Sequence, residues 1–325
     1  MTALVSTLAD WHARYGLNSR VTCRQAQLEL AGEDERIYSV ENDLGLPDVP
    51  FDKEYPRRYL QVGIAEANLL GVASGLAMAG KVPFVNTFAV FATMRACEQL
   101  RLDICYQRAN VKVMGYYAGT SGGHAGPTHH CIEDIAIARA MPGLTVLSPA
   151  DAYEAYLAVL AAAEHDGPVY LRATRAATPA VYQEPYRFRI GEAVRLRDGG
   201  DVTILATGCL MVADALRIAD ELAAAGVGCR VLNVHTLKPL DTEAVLAAAE
   251  QTRLLVSYED HNVINGLGSA VAALVAQHHP VPVLRYGVPD QFCAKTAEHE
   301  DMPARYGFGV RHVRDGVLQW LHHRS

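Results

Sequence analysis

Short apolar runs of strand length alternate along the chain with longer segments rich in Ala and Leu. In the first half, the strand-like runs lie at residues 36–40, 59–62, 82–85, 111–116, 144–147 and 168–172. The helices predicted around them lie at residues 4–11, 21–31, 63–80, about 88–109 and 152–163. Strands that alternate with helices in this order are typical of a parallel, doubly wound sheet, with functional groups in the loops that follow the strands.

Pro179 and Pro185 interrupt this alternation, so we place a linker near residue 180. A second α/β unit follows, and its predicted strands and helix lie at residues 200–208, 212–225, 229–234 and 254–261. A chain of 325 residues is long enough for two hydrophobic cores. The pattern therefore predicts two domains. Residues 1–182 form a doubly wound, mostly parallel sheet with its helices, and residues 183–325 form a smaller α/β domain.

The helix predicted at residues 63–80 has only three polar side chains, Glu66, Asn68 and Ser74. A helix that is apolar on all sides is expected to be buried. Glu66 in its first turn has two interpretations. In the first, its negative charge interacts favourably with the dipole at the N-terminus of its own helix. In the second, it is a buried carboxylate that holds a proton or a cofactor nitrogen. The strand that follows ends at Asn86-Thr87, which we predict to cap the next helix.

Residues 116–130 contain four glycines and the histidines His124, His129 and His130. Such a segment is typical of a loop with a tight backbone and titratable groups, or of a plain glycine-rich surface loop. The histidines have no cysteine or acidic ligand nearby before Glu133, so the ligand set of a metal site is incomplete. We predict no metal site in this chain.

Composition narrows the function classes. The formal net charge of −7 argues against nucleic-acid binding, which requires a basic face. No apolar run is suited to span a bilayer, and the N-terminus lacks the basic start and long apolar core of a secretory signal. The seven cysteines are scattered and none forms a C-x-x-C pair, so we predict reduced thiols in a cytoplasmic protein.

Three motifs resemble the pyrimidine-binding domain of the transketolase family: Gly-Ile-Ala-Glu at 63–66, Gly-x-Ala-x-Gly-Leu-Ala at 71–77, and Thr-Phe-x-x-Phe at 87–91. In that family, the glutamate hydrogen-bonds N1′ of the aminopyrimidine of thiamine diphosphate, and the two phenylalanines form an apolar bed for the ring. The resemblance implies that Glu66 is catalytic and binds the cofactor. It implies further cofactor contacts from Asp43, Ile64, Phe88 and Phe91.

Residues 123–130 are similar to the transketolase segment Gly-Glu-Asp-Gly-Pro-Thr-His-Gln. The resemblance implies that His129 lies near the reacting carbon and assists proton transfer. Tyr117 stands where the family has another active-site histidine, and His124 and Ala125 replace an acidic pair whose aspartate contacts a sugar hydroxyl. We interpret Tyr117 and His124 as substrate contacts. Because a site that lacks this acceptor changes its selectivity, we predict that the common pentose phosphates are not the substrates.

Three arginines are candidates for holding an anionic group of the substrate, since guanidinium matches phosphate or carboxylate with a fixed fork of donors. Arg175 aligns with the arginine that binds the substrate phosphate in transketolases, and Arg24 aligns with an N-terminal arginine of the same role. Arg172 stands where some split relatives carry the first arginine of Arg-x-x-Arg. An exposed arginine without a ligand is the alternative for each.

The second half resembles the C-terminal domain of the same family in its Thr-Ile-Leu-Ala-Thr-Gly, Lys-Pro-Leu-Asp and Gly-Leu-Gly-Ser-Ala-Val segments, and we expect it chiefly to support assembly. The chain has no Gly-Asp-Gly motif of the diphosphate-binding domain. The resemblance therefore implies an N-terminal transketolase-like partner subunit that supplies the diphosphate half and its Mg²⁺ (or Ca²⁺), with an α2β2 assembly. Together they would transfer a two-carbon ketol, or related acyl, unit from a ketose or 2-oxoacid to an aldehyde-type acceptor.

Three alternatives stay open at this point. The chain resembles, somewhat less closely, the β subunit of a 2-oxoacid dehydrogenase decarboxylase component. The altered segment from Tyr117 to Ala125 is also compatible with a regulatory homologue that has no activity of its own. A nucleotide-binding dehydrogenase is disfavoured, because no Gly-x-Gly-x-x-Gly motif follows the first strand.

Overall fold

The structure is a computed structural model that describes residues 7–44 and 49–323, so the prediction that rests on Leu4 lies outside the described residues. The strands are β1 (Ile37–Glu41), β2 (Tyr59–Gln61), β3 (Val82–Phe88), β4 (Lys112–Tyr116), β5 (Thr145–Leu147), β6 (Val169–Ala173), β7 (Val194–Arg197), β8 (Val202–Thr207), β9 (Cys229–Asn233), β10 (Thr236–Lys238), β11 (Leu254–Asn262) and β12 (Val283–Val288).

The α-helices are α1 (Leu8–Tyr15), α2 (Ser19–Glu33), α3 (Phe51–Glu54), α4 (Glu66–Met78), α5 (Cys97–Gln99), α6 (Asp134–Ala140), α7 (Ala152–Glu164), α8 (Met211–Ala224), α9 (Thr242–Gln251), α10 (Leu267–His278), α11 (Met302–Arg305) and α12 (Val310–His322). Within the described ranges, no helix is long and apolar enough to cross a bilayer.

The first sheet has seven strands in the order β10-β5-β6-β4-β3-β1-β2. All neighbours are parallel except β10, which pairs antiparallel with β5. The predicted doubly wound, mostly parallel sheet is confirmed. Because the strands are parallel, the loops after β1, β3, β4 and β6 emerge at one edge of the sheet.

The second sheet has five strands in the order β12-β11-β8-β9-β7, and only β7 is antiparallel to its neighbour. The smaller α/β unit is thus also confirmed. The sequence did not predict that β10, which follows β9 along the chain, joins the first sheet. Lys238 of β10 donates hydrogen bonds to the carbonyls of Arg139 and Met141, which hold the strand there. The exact boundary at residue 182 stays a prediction.

A buried carboxylate connects the two units at the linker. Glu154 of α7 is fully buried and accepts hydrogen bonds from Asn233 of β9 at 2.9 Å and from the Tyr182 hydroxyl at 2.7 Å. The Tyr186 hydroxyl and the Ala150 amide donate to the same carboxylate. A buried charge is stable only when hydrogen-bonded in this manner, so the cluster holds the linker and β9 against α7.

Helix α4 differs from the expectation of all-round burial. It buries Glu66, Leu69, Leu70 and Ala73 against the first sheet. Its opposite side, which we call the α4 outer face, consists of the exposed residues Ala67, Asn68, Gly71, Gly75 and Met78. The prediction is wrong for this face, because the described part of the chain provides no element to cover it.

The predicted cap at Asn86-Thr87 is also wrong, because β3 continues to Phe88. Asn86 is fully buried, and its side chain donates hydrogen bonds to Gln27 and to Ser39. These partners satisfy the amide inside the sheet, so it does not cap a helix. The segment that follows is irregular, with π-helical turns at Phe91–Arg95 and Leu100–Tyr106. Single π-turns are common at functional sites.

Candidate active site

Glu66 lies where the chain passes from β2 into α4. Gly63 has a positive φ of 72°, which glycine adopts without strain and which turns the chain into the helix. Only 5% of Glu66 is exposed, and its Oε1 accepts hydrogen bonds from Asn42 Nδ2 at 3.1 Å and Arg95 Nη1 at 3.2 Å. Asn42 Oδ1 is buried and has no hydrogen-bond partner among the described residues. A buried acceptor in this state is available to a ligand donor.

Three rings form an aromatic cluster beside Glu66. The Phe88 and Phe91 centroids are 5.6 Å apart, and the His129 ring lies 5.5 Å from the first and 5.4 Å from the second. Thr128 Oγ1 is 2.9 Å from His129 Nδ1, which orients the imidazole. The Arg95 guanidinium lies 3.7 Å from the Phe91 centroid and also contacts Glu66, so the carboxylate and the rings form one site.

A second group of side chains extends the site beyond Phe88. The Tyr117 ring lies 4.3 Å from the Phe88 ring and follows β4 at a positive φ of 61°. The guanidinium carbons of Arg20 and Arg175 lie 5.7 Å and 5.4 Å from the Tyr117 centroid. Within the described residues, neither arginine forms an ion pair, and Arg20 Nε is buried without a partner. Burial lowers the pKa of Arg20, which is the mark of a cation held partly out of water.

The first turn of α2 keeps the two arginines side by side. The Asn18 side chain accepts from the Arg20 amide at 3.0 Å and donates to the Arg175 carbonyl at 2.8 Å. Ser19 Oγ lies 3.0 Å from Thr174 Oγ1. The helix cap is therefore also a tie to the loop after β6, and it joins segments that are far apart in sequence.

Two of the predicted cofactor contacts lie at the margin of the site. Asp43 is exposed at a positive φ of 60°, and its neighbour Asn42 is the residue that contacts Glu66. Ile64 is 72% exposed. Both contacts stay predictions. They would be made on the outward-facing surface of the chain and not on its buried side.

Arg24 and His124 have protein partners in this structure. Arg24 is 5% exposed and forms an ion pair with the fully buried Glu41, although its Nη1 is without a hydrogen-bond partner. His124 is exposed, and its Nε2 lies 2.8 Å from Glu298 Oε1 in the C-terminal region. Arg20, which the sequence did not single out, thus lies beside Tyr117. His124 is directed to the second domain.

Arg172 is a structural residue in this arrangement. It is 4% exposed, and it donates to Asp134 Oδ2 at 2.7 Å, to Asp134 Oδ1 at 3.1 Å and to the Asp260 carbonyl at 3.1 Å. Burial alone would lower the pKa of Arg172, but the charge of Asp134 outweighs it and raises that pKa. We therefore no longer interpret Arg172 as a substrate ligand.

Sequence reasoning missed Asn42, Arg95 and Arg20. Asn42 is next to Asp43, Arg95 follows Phe91 by one π-turn, and Arg20 precedes Arg24 by about one helical turn. The motifs mark the correct segments. Only the direction of each side chain selects the residue within them.

The fold and this edge of the sheet define a two-unit α/β protein with a buried glutamate beside an aromatic bed. Residues 16–180 match the family described as transketolase, pyrimidine binding domain, and residues 191–313 match transketolase, C-terminal domain. The chain belongs to the transketolase family.

Similar proteins are subunits of split transketolases. The chain is 46% identical over 267 residues to the 6-deoxy-6-sulfo-D-fructose transketolase subunit of Clostridium sp. (strain MSTE9), which covers 82% of this chain and 83% of that protein. It is 37% identical over 313 residues to one of the subunits of the apulose-4-phosphate transketolase of Phocaeicola vulgatus, covering 94% and 99%.

A solved structure described as a split gene transketolase, inactive beta4 tetramer, has a TM-score of 0.85 at 39% identity, with 93% of this chain and 97% of that chain covered. The chain thus resembles the C-terminal subunits of split transketolase-like enzymes, and the resemblance to transketolases is confirmed.

The contrast between Arg172 in β6 and Arg175 just after this strand is testable. Arg172→Met leaves Asp134 buried and unpaired, so we expect the free energy of unfolding to fall by about 3–5 kcal/mol. Arg175→Met removes an exposed cation, and we expect a loss below about 1 kcal/mol. Urea unfolding of the two matched variants measures both values. Equal losses would contradict the structural assignment of Arg172.

Proposed function

We propose that this chain provides the pyrimidine-binding half of a thiamine-diphosphate-dependent transketolase that acts only with a separate N-terminal subunit. The observation that carries the proposal is the buried Glu66, paired with Asn42 and Arg95 and adjoining the bed of Phe88 and Phe91. The reaction is the transfer of a two-carbon ketol unit from a ketose donor to an aldehyde acceptor, in the cytoplasm.

The residues present fit the cofactor. An aminopyrimidine needs a carboxylate for a ring nitrogen, an apolar face for the ring and an acceptor for its amino group. Glu66 would provide the first, Phe88 and Phe91 the second, and Asn42 Oδ1, a buried acceptor without a partner, fits the third. When bound, thiamine diphosphate supplies the nucleophilic carbon for C–C bond cleavage and formation.

The protein's own part is proton placement and the exclusion of water. Glu66 holds a proton at the ring nitrogen, and its burial prevents solvent from competing for that contact. His129 holds or moves a proton at the reacting oxygen of the sugar. Because Thr128 engages Nδ1, the other imidazole nitrogen, Nε2, is the one we assign to the substrate.

The unpaired cations beside Tyr117 support an anionic substrate. The Arg20 guanidinium is half-buried, and although its Nη2 donates to the Leu44 carbonyl at 2.8 Å, its Nε has no partner among the described residues. Arg175 is exposed beside it without a carboxylate, so an anionic ligand would have both guanidiniums as partners. The relatives are named for a sulfonated hexose and for a sugar phosphate outside the common pentose phosphates. We propose a ketose with a terminal sulfonate or phosphate that contacts Arg20 and Arg175, with Tyr117 beneath it. Arg24, whose Nη1 has no partner among the described residues, stays a further candidate for contact with this group.

The α4 outer face supports a subunit interface. It is exposed and mostly apolar, and it begins one residue after Glu66, so a subunit seated there would lie next to the first turn of α4 that carries this residue. We propose an α2β2 assembly, in which the N-terminal transketolase-like partner holds the diphosphate and its Mg²⁺ (or Ca²⁺). The relative described as a tetramer of β chains supports self-association of this kind of chain.

Removal of the Glu66 charge tests the proposal directly. In the assembled enzyme with thiamine diphosphate and Mg²⁺, we expect Glu66→Gln to lower kcat by about 10²-fold or more, because the amide cannot exchange the proton. The unfolding transition should not change. Glu98→Gln, an exposed carboxylate on α5, is the matched control with normal turnover. Near-normal activity of Glu66→Gln would refute the catalytic role and favour a regulatory homologue.

The anion contact is tested by substrate comparison. We expect Arg20→Met and Arg175→Met each to raise KM for a sulfonated or phosphorylated ketose by about tenfold or more, because each removes a charge-assisted hydrogen bond. KM for the same ketose without its anion should change little. Arg189→Met, an exposed arginine paired only with Glu192, is the control. Equal effects on charged and neutral donors would argue against the anion site.

The interface is tested on the α4 outer face. A side chain added at Gly75 meets no atom within 4 Å in this chain, so Gly75→Glu should fold normally. We expect it to abolish assembly, because it buries a charge in an apolar interface. Sedimentation of the chain with its partner measures the result. Gly200→Glu, at a position that is equally open, is the control, and assembly that is unaffected in both variants would exclude this face.

A further inference from the structure

The segment that carries His129 is a closed loop, which we call the substrate loop (residues 119–131). Its neck is formed by two backbone hydrogen bonds of 2.8 Å, from the Gly119 amide to the Cys131 carbonyl and from the Cys131 amide to the Gly119 carbonyl. Because both ends are fixed to each other, the loop moves as a compact unit. Whatever holds its neck therefore sets the position of His129.

A residue of the second domain holds that neck. Asp260 of β11 is 5% exposed, and its Oδ2 accepts from the Thr120 amide at 2.9 Å and from Thr120 Oγ1 at 3.1 Å. The loop approaches so closely that a Cβ at Gly119 would lie 2.3 Å from the same oxygen. Only glycine permits this contact, and it also adopts the positive φ of 62° found there.

His299 completes this contact from further along the second domain. It is 5% exposed, and its Nε2 lies 3.0 Å from Asp260 Oδ2. Burial raises the pKa of Asp260, but the hydrogen bond and charge of His299, with the Thr120 amide, outweigh it and lower that pKa. The carboxylate is thus kept as an acceptor for three donors, two of which belong to the loop.

The tip of the loop is tied to the same segment of the second domain. His124 Nε2 lies 2.8 Å from Glu298 Oε1. A Cβ at Gly123 would lie 2.9 Å from the Ala297 carbonyl, and one at Gly126 would lie 3.5 Å from Thr296 Cγ2. The glycines of the loop therefore allow it to pack closely along residues 296–299.

We propose that residues 296–299 of the C-terminal domain act as a clamp that positions the substrate loop, with His299 as a positioning residue that acts through Asp260. His124 is an anchor of the loop and not a substrate ligand. The role assigned to His129 rests on the proposed function, whereas the clamp itself does not. The C-terminal domain thus contributes to the active site in addition to assembly.

The two ties have unequal strength. The bond between Asp260 and His299 is buried, and loss of His299 leaves the buried carboxylate oxygen with the two Thr120 donors and without its charge-assisted partner. The pair of His124 and Glu298 is 60% and 67% exposed, so solvent screens it. His299 should therefore contribute more than His124 to holding the substrate loop in position.

Hydrogen exchange on the full chain tests the clamp without any need for activity. We expect His299→Ala to increase amide exchange in residues 119–131 about tenfold, because the neck opens more often. Exchange in β1 and β9 should not change. His299→Gln, whose amide nitrogen reaches the same acceptor, should restore protection, and His279→Ala is the exposed control. Unchanged exchange of the loop in His299→Ala would overturn the clamp.

Kinetics of the assembled enzyme tests the positioning role. We expect His299→Ala to lower kcat about tenfold while the affinity for thiamine diphosphate stays unchanged, since Glu66 and its bed are not touched. His299→Gln should recover most of the loss. Faster exchange of the loop with normal kcat would overturn the positioning role. If His299→Ala does not fold, Thr120→Val removes one loop donor to Asp260 at constant shape and takes its place in both measurements.

An enzyme that is inactive in its unsubstituted form would count against the proposed function alone. The exchange comparison would still test the clamp, because it measures how often the substrate loop opens and does not depend on turnover. The two proposals therefore fail separately.

Discussion

The buried guanidinium of Arg172 joins the parts of this molecule on which the site depends. It extends from β6 in the first sheet and donates two hydrogen bonds to Asp134 at the start of α6. It donates a third to the backbone carbonyl of Asp260 in the second sheet. The side chain of Asp260 then holds Thr120 at the neck of the substrate loop. One cation thus fixes two sheets and one loop relative to each other, and His129 depends on this arrangement.

Charged groups are used in two ways around the site. Arg172 and Arg24 are buried and each has a carboxylate partner, because an unpaired buried charge would cost several kcal/mol (about 3–5). Arg20 and Arg175 have no ion pair among the described residues, although both lie near the Tyr117 ring. Arg20 is partly buried with an unpartnered Nε, and such a group is expected where a ligand completes the site. The difference in pairing therefore separates the framework of the site from its binding surface.

The chain has the character of one half of a larger assembly. Its hydrophobic cores are closed, yet the α4 outer face is exposed beside the buried Glu66, and Asn42 retains a buried acceptor without a donor. Both features cost free energy in the isolated chain. A second subunit and a cofactor would remove both costs together, which couples assembly to the completion of the site.

The sequence by itself determined the alternation of strands and helices, the segments that carry Glu66, Phe88, Phe91 and His129, and the family. These follow from local periodicity and from motifs within a few residues. Tertiary structure alone decided that Asn42 contacts Glu66, that Arg20 lies beside Tyr117, that Arg172 pairs with Asp134, and that His124 meets Glu298. Each of these depends on which side chain a distant segment approaches. A left-handed turn, or a shift by one helical turn, changes the direction in which a side chain points. The exposure of the α4 outer face could not be predicted from the sequence for a related reason. Periodicity indicates that a helix face is apolar, but it does not indicate which chain covers that face.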